Sequence, residues 1–334
     1  MRKSAERGKR EKEDVKGFPL FLLPFILILG LIGGMLGRQP DVEHMQTAGE
    51  QQAEQEAPSD GDMSEAGTDT SAEPTDFVSV MEVHYIDVGQ GDATLIICDG
   101  HAMLIDGGDN SKGTALQLYL QSQNVTALDY VVATHPDADH IGGLDVVITK
   151  FDCGTILMTD YEKDTATYRD VVDAMSYRGY EKTTPVIGDR YALGGASFMI
   201  VGPADITGSA NDSSIALILQ HGEKRFYFEG DAEEEEQDIL STGISLKADV
   251  FKLGHHGSRT SNSEEMVEAV DAAYAVISVG SNSYGHPHAE VLNRLRERGT
   301  SLFRTDEQGS VVARSDGRDI TWNCSPTDSW AAGE

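Results

Sequence analysis

Within ten residues, Thr134–Gly143 reads Thr-His-Pro-Asp-Ala-Asp-His-Ile-Gly-Gly, and four of its side chains are metal-competent: His135, Asp137, Asp139 and His140. The stretch follows Asp129–Ala133, a β-branched run of the kind found in buried parallel strands. Residues two apart share a side in extended chain, so His135, Asp137 and Asp139 can aim at one point. His140 adjoins Asp139, which requires the chain to turn there, and Gly142-Gly143 permits close packing where a helix begins. Imidazole nitrogens and carboxylate oxygens together suit zinc, manganese or iron. The plain alternative is a polar loop with Asp139 as a helix cap.

Further chemistry-bearing groups recur at other predicted strand ends. Asp106 precedes two glycines after Ala102–Ile105, where a carboxylate can accept backbone amides of a neighbouring loop. Asn211-Asp212-Ser213-Ser214 precedes the strand-like Ile215–Gln220 and reads either as a ligand-bearing loop or as ordinary turn chemistry. Asp231 follows Arg225–Phe228 and Gly230. Gly254-His255-His256-Gly257-Ser258 follows Ala248–Leu253, and Gly285-His286-Pro287-His288 leads into a predicted helix over 290–298. His286 or His288 can orient a phosphate or protonate a leaving group, or can simply cap and pack. The Gly89-Gln90-Gly91-Asp92 turn lacks the Gly-Lys-Ser/Thr of a phosphate-binding P-loop.

Taken in order, the segments IDVGQGDA, LIDGGD, THPDADHIGG, NDSS, FEGDA, LGHHGS and YGHPH resemble the metallo-β-lactamase domain of the ComEC type of DNA-uptake competence proteins. The resemblance runs from about Val80 to Asn323, with Asp137 standing where the HxHxDH signature has its second His. It implies an αββα sandwich with the metal loops along one edge between two sheets. It further implies two divalent cations, Zn or Mn, with His135 and Asp137 at the first site. Asp139, His140 and His255 would hold the second and Asp231 would bridge them. His255 takes the position of the last ligand, leaving His256 toward substrate or behind the ligands. Asp106 buttresses the metal loop, Asn211 or Asp212 stands where a third His usually lies, and Ser258 is a loop or phosphate contact. The implied reaction is hydrolysis by a metal-activated water, with Asp139, His256 and His288 in catalytic roles and DNA or another phosphodiester as substrate. A lactone or ester hydrolase, a cell-envelope phosphodiesterase and a non-catalytic surface module are the competing readings. Aspartate in place of histidine makes the first site harder and favours manganese more than an all-His site would.

The elements that must position these groups alternate between strand and helix patterns, which indicates an α/β domain over 79–324 with a short tail, 325–334. Helical periodicity falls at 112–123 and 165–178, and short strands are expected at 186–187, 190–193 and 196–202. No internal repeat is visible. The three cysteines, Cys98, Cys153 and Cys324, lack CxxC spacing, and none is assigned to metal.

Ahead of this domain, residues 1–17 carry seven basic and four acidic residues, and Phe18–Gly37 is twenty residues without a charge. A helix of that length spans roughly 30 Å, enough for a bilayer core. The positive flank predicts a cytoplasmic N-terminus, a single-pass anchor and an extracellular C-terminal domain. Residues 38–78 read as a disordered acidic linker, with eleven acidic residues and no Lys or Arg between Gln39 and Asp76. The whole chain has 334 residues, 26 Lys+Arg and 56 Asp+Glu, a net charge of −30. That balance argues against a protein that tracks nucleic acid along a broad basic groove. No protein partner can be inferred.

Overall fold

A computed structural model describes residues 79–206 and 208–333. The predicted cytoplasmic segment, membrane anchor and linker fall outside the described residues. No helix among the described residues is long and apolar enough to cross a membrane.

The chain first lays down β1 (Met81–Tyr85), β2 (Thr94–Cys98), β3 (His101–Ile105), β4 (Ala127–Ala133), β5 (Asp152–Met158) and β6 (Lys182–Thr183). It then builds a second sheet from β7 (Arg190–Leu193), β8 (Ala196–Gly202), β9 (Ala216–His221), β10 (Lys224–Phe228), β11 (Val250–Lys252), β12 (Tyr274–Ile277) and β13 (Ser301–Arg304). Finally β14 (Val311–Ser315) and β15 (Ile320–Trp322) return to the first sheet, whose order is β15-β14-β1-β2-β3-β4-β5-β6. The second sheet runs β13-β12-β11-β10-β9-β8-β7. Each sheet is mixed: β3, β4 and β5 are parallel in one, and β10 to β13 are parallel in the other.

Period-two alternation sorts the strand side chains into layers. Val83, Ile96, Met103, Val132, Phe198, Leu217, Phe226, Val250 and Phe303 meet between the sheets. Their strand neighbours Leu95, Leu104 and Val131 face outward onto Leu116 and Leu120 of α1 (Gly113–Ser122), and onto Leu144, Val147 and Ile148. A four-residue turn of helix, α2 (Ala138–Ile141), leads into α3 (Leu144–Lys150), which carries those last three residues, and α4 (Ala166–Arg178) completes the layer. On the other side Tyr227, Phe251 and Ala275 pack under α5 (Glu235–Ser241), α6 (Glu264–Val270) and α7 (Ala289–Glu297). A short helix, α8 (Thr305–Gln308), links β13 to β14. The result is the four-layer αββα sandwich, with apolar faces buried in three sheets of contact.

Two local readings change. Residues 186–187 form no strand, because the Val186 amide is drawn into a turn by Asp189 Oδ2 at 2.9 Å. The expected tail instead stays against the domain: the Gly333 amide donates to the Pro287 carbonyl at 3.0 Å, and Trp330 packs on the core under the second sheet.

Candidate metal centre

The loops that leave β3 and β4 in one sheet, and β10, β11 and β12 in the other, converge on one edge of the sandwich. These are carboxyl ends of parallel strands, where α/β sheets gather polar ligands. Asp106, just past β3, is the buried anchor of the first loop. It accepts the Thr134 amide at 2.9 Å and the Thr134 hydroxyl at 2.7 Å, and lies 2.8 Å from His140 Nδ1. A carboxylate so engaged fixes the proton on Nδ1 and turns Nε2 of His140 inward. Gly143 lets the loop fold tightly onto Asp106's own segment: a Cβ there would collide with the Gly107 carbonyl.

His135 is held through Nδ1, 3.1 Å from Thr134 Oγ1 and 3.2 Å from Ser214 Oγ. Ser214 Oγ also accepts the Asp231 amide at 2.9 Å, so one hydroxyl sets both His135 and Asp231. The Nε2 atoms of His135 and His140 are buried and make no hydrogen bond. They lie 3.9 Å and 3.1 Å from Asp231 Oδ2. On the facing loop, His256 Nδ1 donates to the Ser278 carbonyl at 2.9 Å. Its Nε2 stands 3.2 Å from Asp139 Oδ2 and 3.8 Å from Asp231 Oδ2.

Two ligand-competent groups result, His135–His140–Asp231 and Asp139–His140–His256, with the donor atoms of each group within 4.8 Å of one another. Electrostatics tie them together. Burial alone would raise the Asp231 carboxyl, yet the His140 and His256 imidazoles hold it well below the usual range. Burial opposes a charged His140, but Asp231 and Asp106 raise it well above the ordinary value. Burial and the neighbouring His140 push His135 down to about 4. Buried, unpartnered imidazole nitrogens aimed at a shared carboxylate are costly without a partner. This mixed N/O donor set fits Zn or Mn, and His135, His140, Asp231, Asp139 and His256 could hold such ions.

Several residues expected at the centre sit differently. Asp137 turns to Lys163, whose Nζ is 2.5 Å from Oδ1, and belongs to neither group. His255 and His256 both adopt left-handed backbone, φ 47° and 52°, and their rings stand edge to face with centroids 6.1 Å apart. It is His256, with Nε2 3.2 Å from Asp139 Oδ2, that groups with Asp139 and His140 in the place anticipated for His255. The His255 ring is drawn to Glu233 Oε1 at 3.1 Å, with its Nε2 3.9 Å from Asp231 Oδ2. Asp212 caps the turn before α5, accepting the Glu233 and Glu235 amides at 3.1 and 3.2 Å. Asn211 opens a short 3₁₀ turn, and from this loop it is Ser214 that reaches His135. Ser258 is buried and bonds Thr260 Oγ1 at 2.8 Å, a contact internal to its loop.

His286 is buried beside His255, ring centroids 5.1 Å apart, with its Nδ1 unpartnered. Burial and His255 lower its pKa to about 4. His288 Nδ1 accepts the Arg259 amide at 3.0 Å, so the neutral ring carries its proton on Nε2. Burial and Arg259 keep His288 below its ordinary value.

Three contributors escape sequence reasoning: Ser214, Glu233 and Asn262. Glu233 reads in sequence as a solvated helix-start residue. Asn262 accepts the Gly254 amide at 3.0 Å and donates to the Gly254 and Ser258 carbonyls at 2.9 and 3.0 Å, which closes the histidine loop on itself. Nothing in its sequence neighbourhood signals this.

Residues 86–281 match the model of the Metallo-beta-lactamase superfamily, and the chain belongs to that superfamily of metal-dependent hydrolases. It is similar to ComE operon protein 3 of Bacillus subtilis, 29% identical over 266 residues, covering 73% of this chain and 34% of that one. It is similar to Recombination protein 2 of Haemophilus influenzae, 30% identical over 237 residues, with 69% and 28% covered. The chain thus spans about a third of the length of these curated relatives. Among solved structures, a metallo hydrolase of the archaeon Ignicoccus hospitalis shares 18% identity at a TM-score of 0.46, covering 70% of this chain and 98% of that one.

Proposed function

We propose that the chain is an exported, membrane-anchored phosphodiesterase that uses two divalent cations, zinc or manganese, and acts on DNA or another phosphodiester. The observation that carries this reading is the pair of buried, unpartnered Nε2 atoms of His135 and His140 facing Asp231, with Asp139 and His256 closing a second group on the same edge. His135 and Asp231 would hold the first cation and Asp139, His140 and His256 the second; Asp231 Oδ2 faces the His135, His140 and His256 imidazoles, while its Oδ1 accepts the His255 amide at 3.0 Å. Divalent cations in such a site supply Lewis acidity and an acidified water at neutral pH.

The chain's own residues do the rest. Asp106 and Ser278 fix the tautomers of His140 and His256, so that both present Nε2. Asp137 is paired with Lys163 in a part-exposed ion pair at the rim. His288, neutral with its proton on Nε2, provides a hydrogen-bond donor to a phosphate or departing oxygen. Support for DNA comes from the similarity to Recombination protein 2 and to Competence protein ComA of Neisseria gonorrhoeae, and support for the anchor comes from the uncharged Phe18–Gly37 run.

The test compares single-stranded DNA, a nucleotide phosphodiester and a lactone, each with Mn and with Zn, using wild type and Asp139→Ala. Phosphodiester turnover that disappears in Asp139→Ala supports the reading. Turnover of the lactone alone replaces it with an ester hydrolase. Tight metal binding without turnover of any substrate replaces it with a metal-binding module. For the anchor, protease added to intact cells should release a soluble fragment beginning within 39–80, and protection until lysis contradicts it.

A further inference from the structure

The Gly89-Gln90-Gly91-Asp92 turn stands apart from the ligand groups, yet Asp92 is buried against Lys252, which lies at the end of β11 on the opposite sheet. Lys252 Nζ is 2.8 Å from Asp92 Oδ1 and 3.0 Å from Oδ2, with both side chains more than nine-tenths buried. The ammonium also donates to the Leu253 carbonyl at 2.9 Å. Each end of the pair is tied to one half of the centre. The Asp92 amide donates to the Asp139 carbonyl at 3.0 Å, and the Asp92 carbonyl accepts the Gly108 amide at 2.8 Å. Gly91, at φ +139°, is required for this approach, since a Cβ there would strike the Asp139 carbonyl oxygen. From Lys252 and Leu253 the chain runs directly into the His255-His256 turn. Asp139 and His256 face each other at 3.2 Å, one from each sheet's loop.

We infer that the buried Asp92–Lys252 pair is a positioning strut that sets the Asp139-to-His256 separation, and so selectively maintains the cation site those two residues share with His140. Two features favour a positioning role over general stabilisation. A buried ion pair is on average a weak contributor to stability, because desolvation offsets attraction. This pair also reaches across the two sheets at the one edge where the ligand loops meet, and its backbone and carbonyl contacts end on ligand-bearing segments. Neither side chain of the pair hydrogen-bonds to a member of the His135–His140–Asp231 group, whose side chains are set by Asp106, Thr134 and Ser214.

The inference rests on the two-cation reading, and the experiment separates the two. Metal-free wild type, Asp92→Asn/Lys252→Met and His256→Ala are titrated with MnCl₂ by calorimetry, with thermal melts of the metal-free proteins as the check on folding. The double replacement removes both charges together, so no buried ion is left unpaired. The strut predicts that the double variant keeps one site at wild-type affinity and weakens the other by about 10–100-fold, as for loss of a group orienting a ligand. The weakened site is the one that His256→Ala removes. Wild-type affinity at both sites, or equal weakening of both, overturns the strut. Should the double variant melt below the titration temperature, Asp92→Glu, which keeps both charges but changes the length of the pair, carries the same prediction and the same contradiction. A wild type that takes up fewer than two Mn overturns the two-cation reading and the strut with it. Two sites in wild type that are unaltered in the variant overturn the strut alone.

Discussion

The two loops that face each other across the centre are held by different means. Thr134–Gly143 leaves β4 in extended form and enters α2, so its ligand-bearing residues follow one another with regular spacing. It is held by side-chain bonds to the buried Asp106 carboxylate and to Ser214, and by backbone bonds from the Asp92 and Gly107 amides to the Asp139 and His140 carbonyls. Gly254–Ser258 is a tight left-handed turn, with its two histidines at positive φ and its backbone clamped at both ends by the Asn262 amide. Asn262 is in turn held by Glu236, which accepts its backbone N–H. The first loop aims side chains by spacing, and the second aims them by backbone conformation. Substitution of a ligand and substitution of a clamp should therefore separate function from stability differently on the two sides.

The largest effect is expected at Asp139. Replacement by Ala removes a ligand from the shared edge while leaving the apolar layers untouched, so turnover should fall by at least about 10²-fold with little change in melting temperature. A parallel loss of stability would show that the loop depends on its ligands to fold. Next is Asn262→Ala, which leaves the Gly254 and Ser258 groups unpaired and places alanine at φ 59°. A cost of about 2–4 kcal/mol in denaturant unfolding is expected. A loss below that range would mean the turn is set by something other than the clamp.

The smallest effect is a pH-dependent one at the start of α5, where the Glu235 carboxylate accepts the Ala204 amide. Burial pushes the Glu235 carboxyl up to about 7 from an ordinary 4.5, so the folded chain retains a proton that the unfolded chain releases. Stability therefore declines as pH rises from 4.5 through 7. Glu235→Gln should raise stability by on the order of 1 kcal/mol at pH 8 and leave it unchanged at pH 4. Equal effects at both pH values would contradict the assigned cause.

How far each side could be read in the sequence follows from the same contrast. Alternation along β1 to β5 and helical periodicity in α1 and α4 disclose the layers, because burial acts on every second or every third to fourth residue. The clustering of His135, Asp139 and His140 is legible because extended chain and the start of a helix have fixed side-chain directions. Asp106 is legible from its strand-end position before two glycines. The choice between His255 and His256 is not, since it turns on two left-handed residues that ordinary side chains rarely adopt. Asp137 alternates with its neighbours in the expected way, but its orientation depends on Lys163, far along the chain in another loop. The same holds for Ser214, Asn262 and the Asp92–Lys252 pair: each acts through a partner that only the folded topology brings near.

The contrast between the two loops, and the ligand set with it, is tested most directly by metal content. Wild type, His255→Ala and His256→Ala, purified without chelator and equilibrated with Mn at neutral pH, are compared by elemental analysis. The geometry predicts about two Mn per chain in wild type and in His255→Ala, and about one in His256→Ala. Loss of a metal in His255→Ala with full occupancy in His256→Ala would contradict it.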